Sequence, residues 1–188
     1  MKLPPPETNN RLDKALAERR SVRRYAPREL SFDEISQLLW AGQGVTSPNG
    51  YRTAPTAGGT LPLELSLITA SGVFRYDPRD HALEQVAGDD RRKPLASACV
   101  NQRFVREAPA VIVVGGAVER TARIYRDRAR RYVALEAGCA SQNIMLEAVA
   151  LGLGSVMIGA YHDDEVARIA GLPPGAIPFA VIPVGVPG

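Results

Sequence analysis

An α+β fold is the class this sequence predicts, on three observations. Apolar runs short enough to be strands are scattered among helical patterns without regular alternation, which argues against a βαβ winding. Phe74-Arg75-Tyr76 and Ala82–Ala87 flank Asp77-Pro78-Arg79-Asp80, the composition of a hairpin. Residues 119–151 carry one long helical pattern that stops near Gly152 and Gly154.

The remaining elements follow in chain order. Residues 1–9 are proline-rich and polar and are expected to form an extended arm. Leu12, Ala15 and Leu16 are spaced for a helix over 11–20, in a unit that Pro27 ends. Ser31-x-x-Glu34 is a capping box that opens a helix through Leu38, Leu39 and Trp40. Residues 44–60 are rich in Gly, Pro, Ser, Thr and Asn and read as a long loop, a type that is usually functional or disordered. Strands are expected at Leu63–Ala70, Ala110–Val114, Ser155–Ala160 and Phe179–Val184. Residues 89–107 are expected to be helical in part, and Asp163 or Asp164 to cap a short helix to Ala170.

The 188 residues suit a single domain over 1–188. With 45% hydrophobic and 23% charged residues the composition is ordinary for a globular protein. The formal net charge of +3 is too small to imply nucleic acid by itself. Two cysteines, Cys99 and Cys139, without a CxxC spacing, are expected as reduced, packed thiols. With only His81 and His162, no histidine-rich metal site is expected. The start MKLPPPETNN has no apolar signal core and no uncharged apolar stretch could span a membrane, so a cytoplasmic location is the expectation.

From Tyr132 to Leu153 the helical pattern is apolar nearly all round and needs cover on every side, for which a second subunit is a natural source. Glu136, Asn143 and Glu147 interrupt it and fall within about 20° of one line on a helix. That line is either a solvent-facing stripe or a polar seam at an interface or ligand.

Arg19-Arg20-Ser21-Val22-Arg23-Arg24 places four guanidiniums in six residues. They repel one another unless an anion or carboxylates compensate, and their forked donors suit phosphate oxygens. A solvated helix end and a nucleic-acid surface are the other readings, the latter without RNP, KH or zinc-finger patterns to support it. If the helix continued this far, Arg19 and Arg23 would share one face, and Arg20 and Arg24 another. A second run, Arg120 to Arg131, is either an exposed helix face or a mouth that attracts an anionic substrate.

The order RRSVRRY, LLWAGQGVT, RTAPTAGGTLPLE, VFRYDPRDHALE, VREAPAVIVVGG, LEAGCASQNIMLEAVALGLGSVMIGAY and IPVGVP resembles the nitroreductase superfamily over nearly the whole chain. Within it, the sequence is similar to the branch of thiazole/oxazole-forming peptide dehydrogenases and their stand-alone relatives. The resemblance implies an α+β sandwich with a central mixed sheet flanked by helices. It also implies an intertwined homodimer with FMN bound at its interface.

By position, Arg19, Arg20, Ser21 and Arg23 correspond to residues that hold the flavin phosphate and ribityl chain. Pro55, Thr56, Ala57, Gly58 and Gly59 correspond to a loop that the other subunit lays against the flavin. Asn101 and Gln102 correspond to polar contacts to the ring, and Ile158, Gly159 and Ala160 to backbone facing it. Gly58, Gly59 and Gly159 suit such close backbone approach.

The implied activity is ping-pong transfer from NAD(P)H to a small acceptor such as a nitroaromatic or quinone. A dehydrogenase of a peptide or natural-product intermediate, and a flavin- or nucleic-acid-binding module without turnover, are the alternatives. No side-chain acid or base stands out, and Tyr125 is a candidate donor only. Two departures bear on the alternatives. The azoline oxidases tend to carry a Lys-Tyr pair where this chain has Ile124-Tyr125. The family usually continues with basic residues past the segment that here ends at Gly188.

Overall fold

The computed structural model describes residues 10–188; the arm expected at 1–9 lies outside them. Helix α1 (Arg11–Glu18) opens on a capping box between Asn10 and Asp13, and α2 (Phe32–Gln43) on the expected one between Ser31 and Glu34. Six strands follow: β1 (Leu63–Thr69), β2 (Gly72–Asp77), β3 (Ala82–Ala87), β4 (Ala110–Ala117), β5 (Gly154–Ser155) and β6 (Ala176–Gly185). Between them lie α3 (Arg92–Ala98), α4 (Arg103–Glu107), α5 (Val118–Tyr125), α6 (Ala129–Ala150) and α7 (Asp163–Ile169).

The strands form one sheet in the order β3-β2-β1-β4-β6-β5, and every neighbouring pair is antiparallel. The mixed character expected of the sheet is confined to one isolated parallel bridge, Ser21 to Ser155. Alternation along the strands sorts the core onto two faces. Leu65, Leu67, Ile112, Val114 and Ile182 pack with Leu38, Leu39 and Ile144 of α2 and α6. Ile68, Val111, Val113 and Val181 pack with Leu95, Val105, Val166 and Ile169 of α3, α4 and α7. The sheet is therefore sandwiched between two helical layers.

Several expectations are corrected. The 119–151 pattern is two helices, parted by a turn at 126–128 where Arg126 adopts φ +50. The strand expected over Ser155–Ala160 shrinks to β5 plus a bridge from Ile158 to Val181. Val156 donates to the carbonyl of Pro183, and a proline has no N–H with which to continue the ladder. α7 is capped by the backbone of His162, and Asp163, Asp164 and Glu165 occupy its positively polarised first turn. α3 and α4 are parted by Val100 and Asn101, both left-handed at φ +55 and +56. That conformation is costly for a β-branched residue.

Candidate functional site

The first candidate region is built on residues 19–25. α1 stops at Glu18, so the arginines do not share helix faces; the segment is pinned by backbone to the sheet edge. The Val22 N–H donates to Ser155 O at 3.0 Å, and the Ala26 N–H to Val186 O at 2.8 Å. The Tyr25 hydroxyl donates to Val22 O at 2.7 Å, and burial pushes its pKa up. The approach is close because residue 154 is glycine; a Cβ there would come within 2.7 Å of Val22.

The arginine side chains are thus carried on a fixed backbone. Arg20 folds back, donating to Ala17 O and Arg19 O at 2.9 and 2.8 Å. Arg19 and Arg23 form no ion pair among the described residues. The Arg23 guanidinium lies 5.8 Å from the centre of the Phe104 ring, a cation–π contact that directs it toward α4. Next to Phe104, Gln102 donates to Cys99 O at 2.9 Å and reaches Ala160 O at 3.4 Å.

Ile158 exchanges backbone hydrogen bonds with Val181 at 2.8 and 3.1 Å, which leaves Met157, Gly159 and Ala160 exposed beside it. Arg23, Gln102 and the 158–160 segment are therefore joined through Phe104 and Ala160, and Ser21 through its bridge to Ser155. Exposed Asn101 sits in the strained turn just before Gln102.

Pro55–Gly59 lies elsewhere. Ala57–Gly59 forms a single helical turn, with Gly58 at φ +57 facing the Tyr125 hydroxyl. Tyr125 stacks edge-on against Tyr132, ring centres 4.8 Å apart. Pro55, Thr56 and Ala57 border a cleft with Tyr132, Leu135, Glu136 and Cys139, all on α6. Glu136 and Ala150 are fourteen residues apart on α6, about 21 Å along the axis. The loop thus packs near one end of α6, and Ser155 follows the other.

Glu136 corrects the solvent-stripe reading. It is only 4% exposed, and neither carboxylate oxygen has a hydrogen-bond partner among the described residues. Burial pushes its pKa up to about 7, although the Thr56 hydroxyl and Ala57 N–H nearby favour the charged form. Asn143, on the same line, donates to Thr53 O at 3.2 Å, and burial also raises the pKa of Glu147.

α6 is not covered all round within one chain. Leu135 is 60% exposed, and Gly138 and Cys139 beside it face out, whereas Met145 lies in the chain's own core. Cys99 is packed as expected and burial raises its pKa to about 12; Cys139 is not packed.

In the second arginine run, Arg120 donates to Leu61 O at 3.1 Å and pairs with Glu64. The other arginines of the run are exposed. Phe104 was not singled out by sequence, although an aromatic two residues after Gln102 was the available signal. Among the described residues no helix is long and apolar enough to cross a membrane.

The Nitroreductase family model matches residues 16–186. A protein of Methanocaldococcus jannaschii named as a nitroreductase is 38% identical over 181 residues, covering 93% of this chain and 90% of its own. A solved structure from Ralstonia eutropha JMP134, also named as a nitroreductase, superposes with a TM-score of 0.86 at 28% identity, covering 99% of this chain and 88% of that one. Another from Desulfovibrio desulfuricans, solved in complex with FMN, gives 0.71 at 26% identity, covering 96% and 88%.

Proposed function

The chain belongs to the nitroreductase family, and from that premise we propose an NAD(P)H-dependent reductase of small acceptors such as nitroaromatics or quinones, working as a homodimer. It is an FMN-dependent oxidoreductase, and the residues present fit that cofactor. The observation that carries this is that Arg19 and Arg23 have no carboxylate partners among the described residues and sit on a backbone pinned to the sheet, Arg23 being linked through Phe104, Gln102 and Ala160 to the exposed Gly159 segment. A Cβ built at Gly159 meets nothing within 4 Å among the described residues, so its backbone has room for a planar ring.

In this reading Arg19, Arg23 and Ser21 hold the phosphate, where forked donors and a hydroxyl match its oxygens. Arg20 contributes charge while its own donors brace the backbone. Asn101 and Gln102 supply polar contacts to the ring edge. Ile158, bonded to Val181, fixes the segment, so the backbone N–H groups of Gly159 and Ala160 would be the dipoles that stabilise negative charge on the ring. Pro55–Gly59 shares no hydrogen bond with this group among the described residues and packs instead against Tyr125 and Tyr132–Cys139, which supports a pocket completed by the partner's copy of the loop. The exposed face around Leu135 and Cys139 offers the apolar contact that such a pairing needs.

FMN, when bound, supplies the relay of two electrons between NAD(P)H and the acceptor, which enter the same pocket in turn. The protein's part is to position both and exclude water. Ile124, 58% exposed beside Tyr125, puts no ammonium where an azoline oxidase carries one, which favours the reductase over the peptide dehydrogenase. The test is direct. Purified protein should be yellow, release FMN on acid treatment, and bleach with NADH or NADPH without oxygen. A colourless protein that fails to bind added FMN overturns the assignment.

A further inference from the structure

A second set of cationic donors converges far from the first. A cleft of about 330 Å³ opens between the end of α2, the β2–β3 hairpin and α5; Gln43, Arg52, Arg75, Tyr76, Arg79 and Arg120 line it. Two of its three carboxylates are already paired. Glu84 pairs with Arg75 at 3.4 Å and Glu64 with Arg120, whereas Asp77 accepts, among the described residues, only the Arg79 backbone N–H at 2.8 Å and its charge offsets part of the repulsion at Arg52.

Arg52 and Arg79 form no ion pair among the described residues. They are close enough to repel: after burial, the charge of Arg79 is the next cause lowering the Arg52 pKa. Three buried donors on the lining also lack acceptors among the described residues: Gln43 Nε2, Arg52 Nε and Arg75 Nε. Gln43 is only 3% exposed. Buried donors without acceptors cost free energy, and two guanidiniums lining one cleft add repulsion. An acceptor carrying negative charge relieves both at once.

We propose that this cleft binds the oxyanion group, phosphate or carboxylate, of a small-molecule ligand, held by Arg52 and Arg79 with Gln43 donating from beneath. The site is distinct from the Arg19–Arg23 group. β2 and β5 are four strand spacings apart in the sheet, about 19 Å. The inference does not depend on the flavin assignment, because its donors belong to different elements.

The test uses flavin-saturated protein, so that the first arginine group is filled. Inorganic phosphate and, separately, acetate are titrated calorimetrically in low-salt chloride buffer. One equivalent per chain should bind for at least one anion, and the two titrations tell which oxyanion the cleft prefers. Affinity should fall about tenfold or more in R79Q and in R52Q, as expected for loss of a charge-assisted hydrogen bond, and hold in R106Q. Arg52 is half-buried and its variant is susceptible to misfolding; Arg79 is exposed, so R79Q alone decides in that event. Failure of both anions to bind, or binding unchanged in R79Q, overturns the proposal. Loss of binding in R106Q to the same extent as in R79Q also overturns it, because the effect is then one of overall charge.

Discussion

The backbone of Gly58 lies against the side chain of Tyr125: a methyl group added at Gly58 would sit 2.9 Å from the tyrosine hydroxyl oxygen. Gly58 is also left-handed at φ +57, where an L-residue with a Cβ pays about 1–2 kcal/mol. Gly58→Ala should therefore destabilise the chain by about that amount and loosen FMN binding, measured by urea denaturation and flavin titration. Tyr125→Phe keeps the ring against Gly58 and Tyr132, and should leave turnover within about twofold if shape is what this residue contributes. A large loss in Tyr125→Phe with stability unchanged would instead give the hydroxyl a part in the chemistry.

The arginines without ion pairs among the described residues give the second expectation. Arg19→Ala or Arg23→Ala should remove a charge-assisted hydrogen bond worth roughly 1.5–3 kcal/mol. FMN affinity should then fall about 10- to 150-fold. Lysine at either position should restore only part of it, because the fork is lost. Fluorescence titration with FMN measures this, and a parallel titration with single-stranded RNA at two salt concentrations tests the competing nucleic-acid reading. Intact flavin affinity with weakened, salt-steep RNA binding would transfer these residues to that reading.

Glu136 should make stability fall as pH rises. Its pKa in the folded chain is raised to about 7 from 4.5, so the folded state holds a proton that the unfolded state has released. The contribution is fully present below pH 4.5 and disappears as pH passes through about 7. Glu136→Gln should flatten this slope and gain on the order of 1–2 kcal/mol at pH 8, a value reduced for solvent reaching the loop. Urea melts of both proteins at pH 5 and pH 8 measure the difference; parallel pH profiles would remove Glu136 as its source.

The faces of α6 separate folding from assembly. Leu135→Glu places a charge on an exposed apolar position and should leave the chain folded but monomeric. Met145→Lys places one in the chain's own core and should unfold it, since an unpaired buried charge costs several kcal/mol. Light scattering should give about twice 20.2 kDa for the unaltered protein. A Leu135→Glu protein that remains dimeric would move the contact to another surface.

Local chemistry was what the sequence disclosed well. The Ser31–Glu34 box fixes the start of α2 by contacts three residues apart, and Ala110–Val114 announces a buried strand by composition alone. The break at Arg126 was not legible, because Tyr-Arg-Asp-Arg contains neither glycine nor proline to announce a left-handed residue. The helical period placed Glu136 on a line but not on a side, since the covering loop lies some eighty positions earlier. Crowding of the arginines was visible, yet their extended backbone depends on Ser155 and Val186, which no local pattern connects to them. The Gln43–Arg52–Arg79 cleft was invisible for the same reason.

One feature of the sheet bears on how the chain is made. β6, the last of the strands, lies between β4 and β5, and it supplies Val181 to one core face and Ile182 to the other. During synthesis, β1 to β4 leave the ribosome with the β4 edge unpaired, and they keep it until residues 176–185 emerge. Until then α6 has a partly built surface to dock on, and the segment carrying Arg19–Arg24 lacks both Val186 and a β5 held in the sheet by β6. The nascent protein is thus committed to a late, long-range closure, the kind of step that slows folding and invites pairing with other chains.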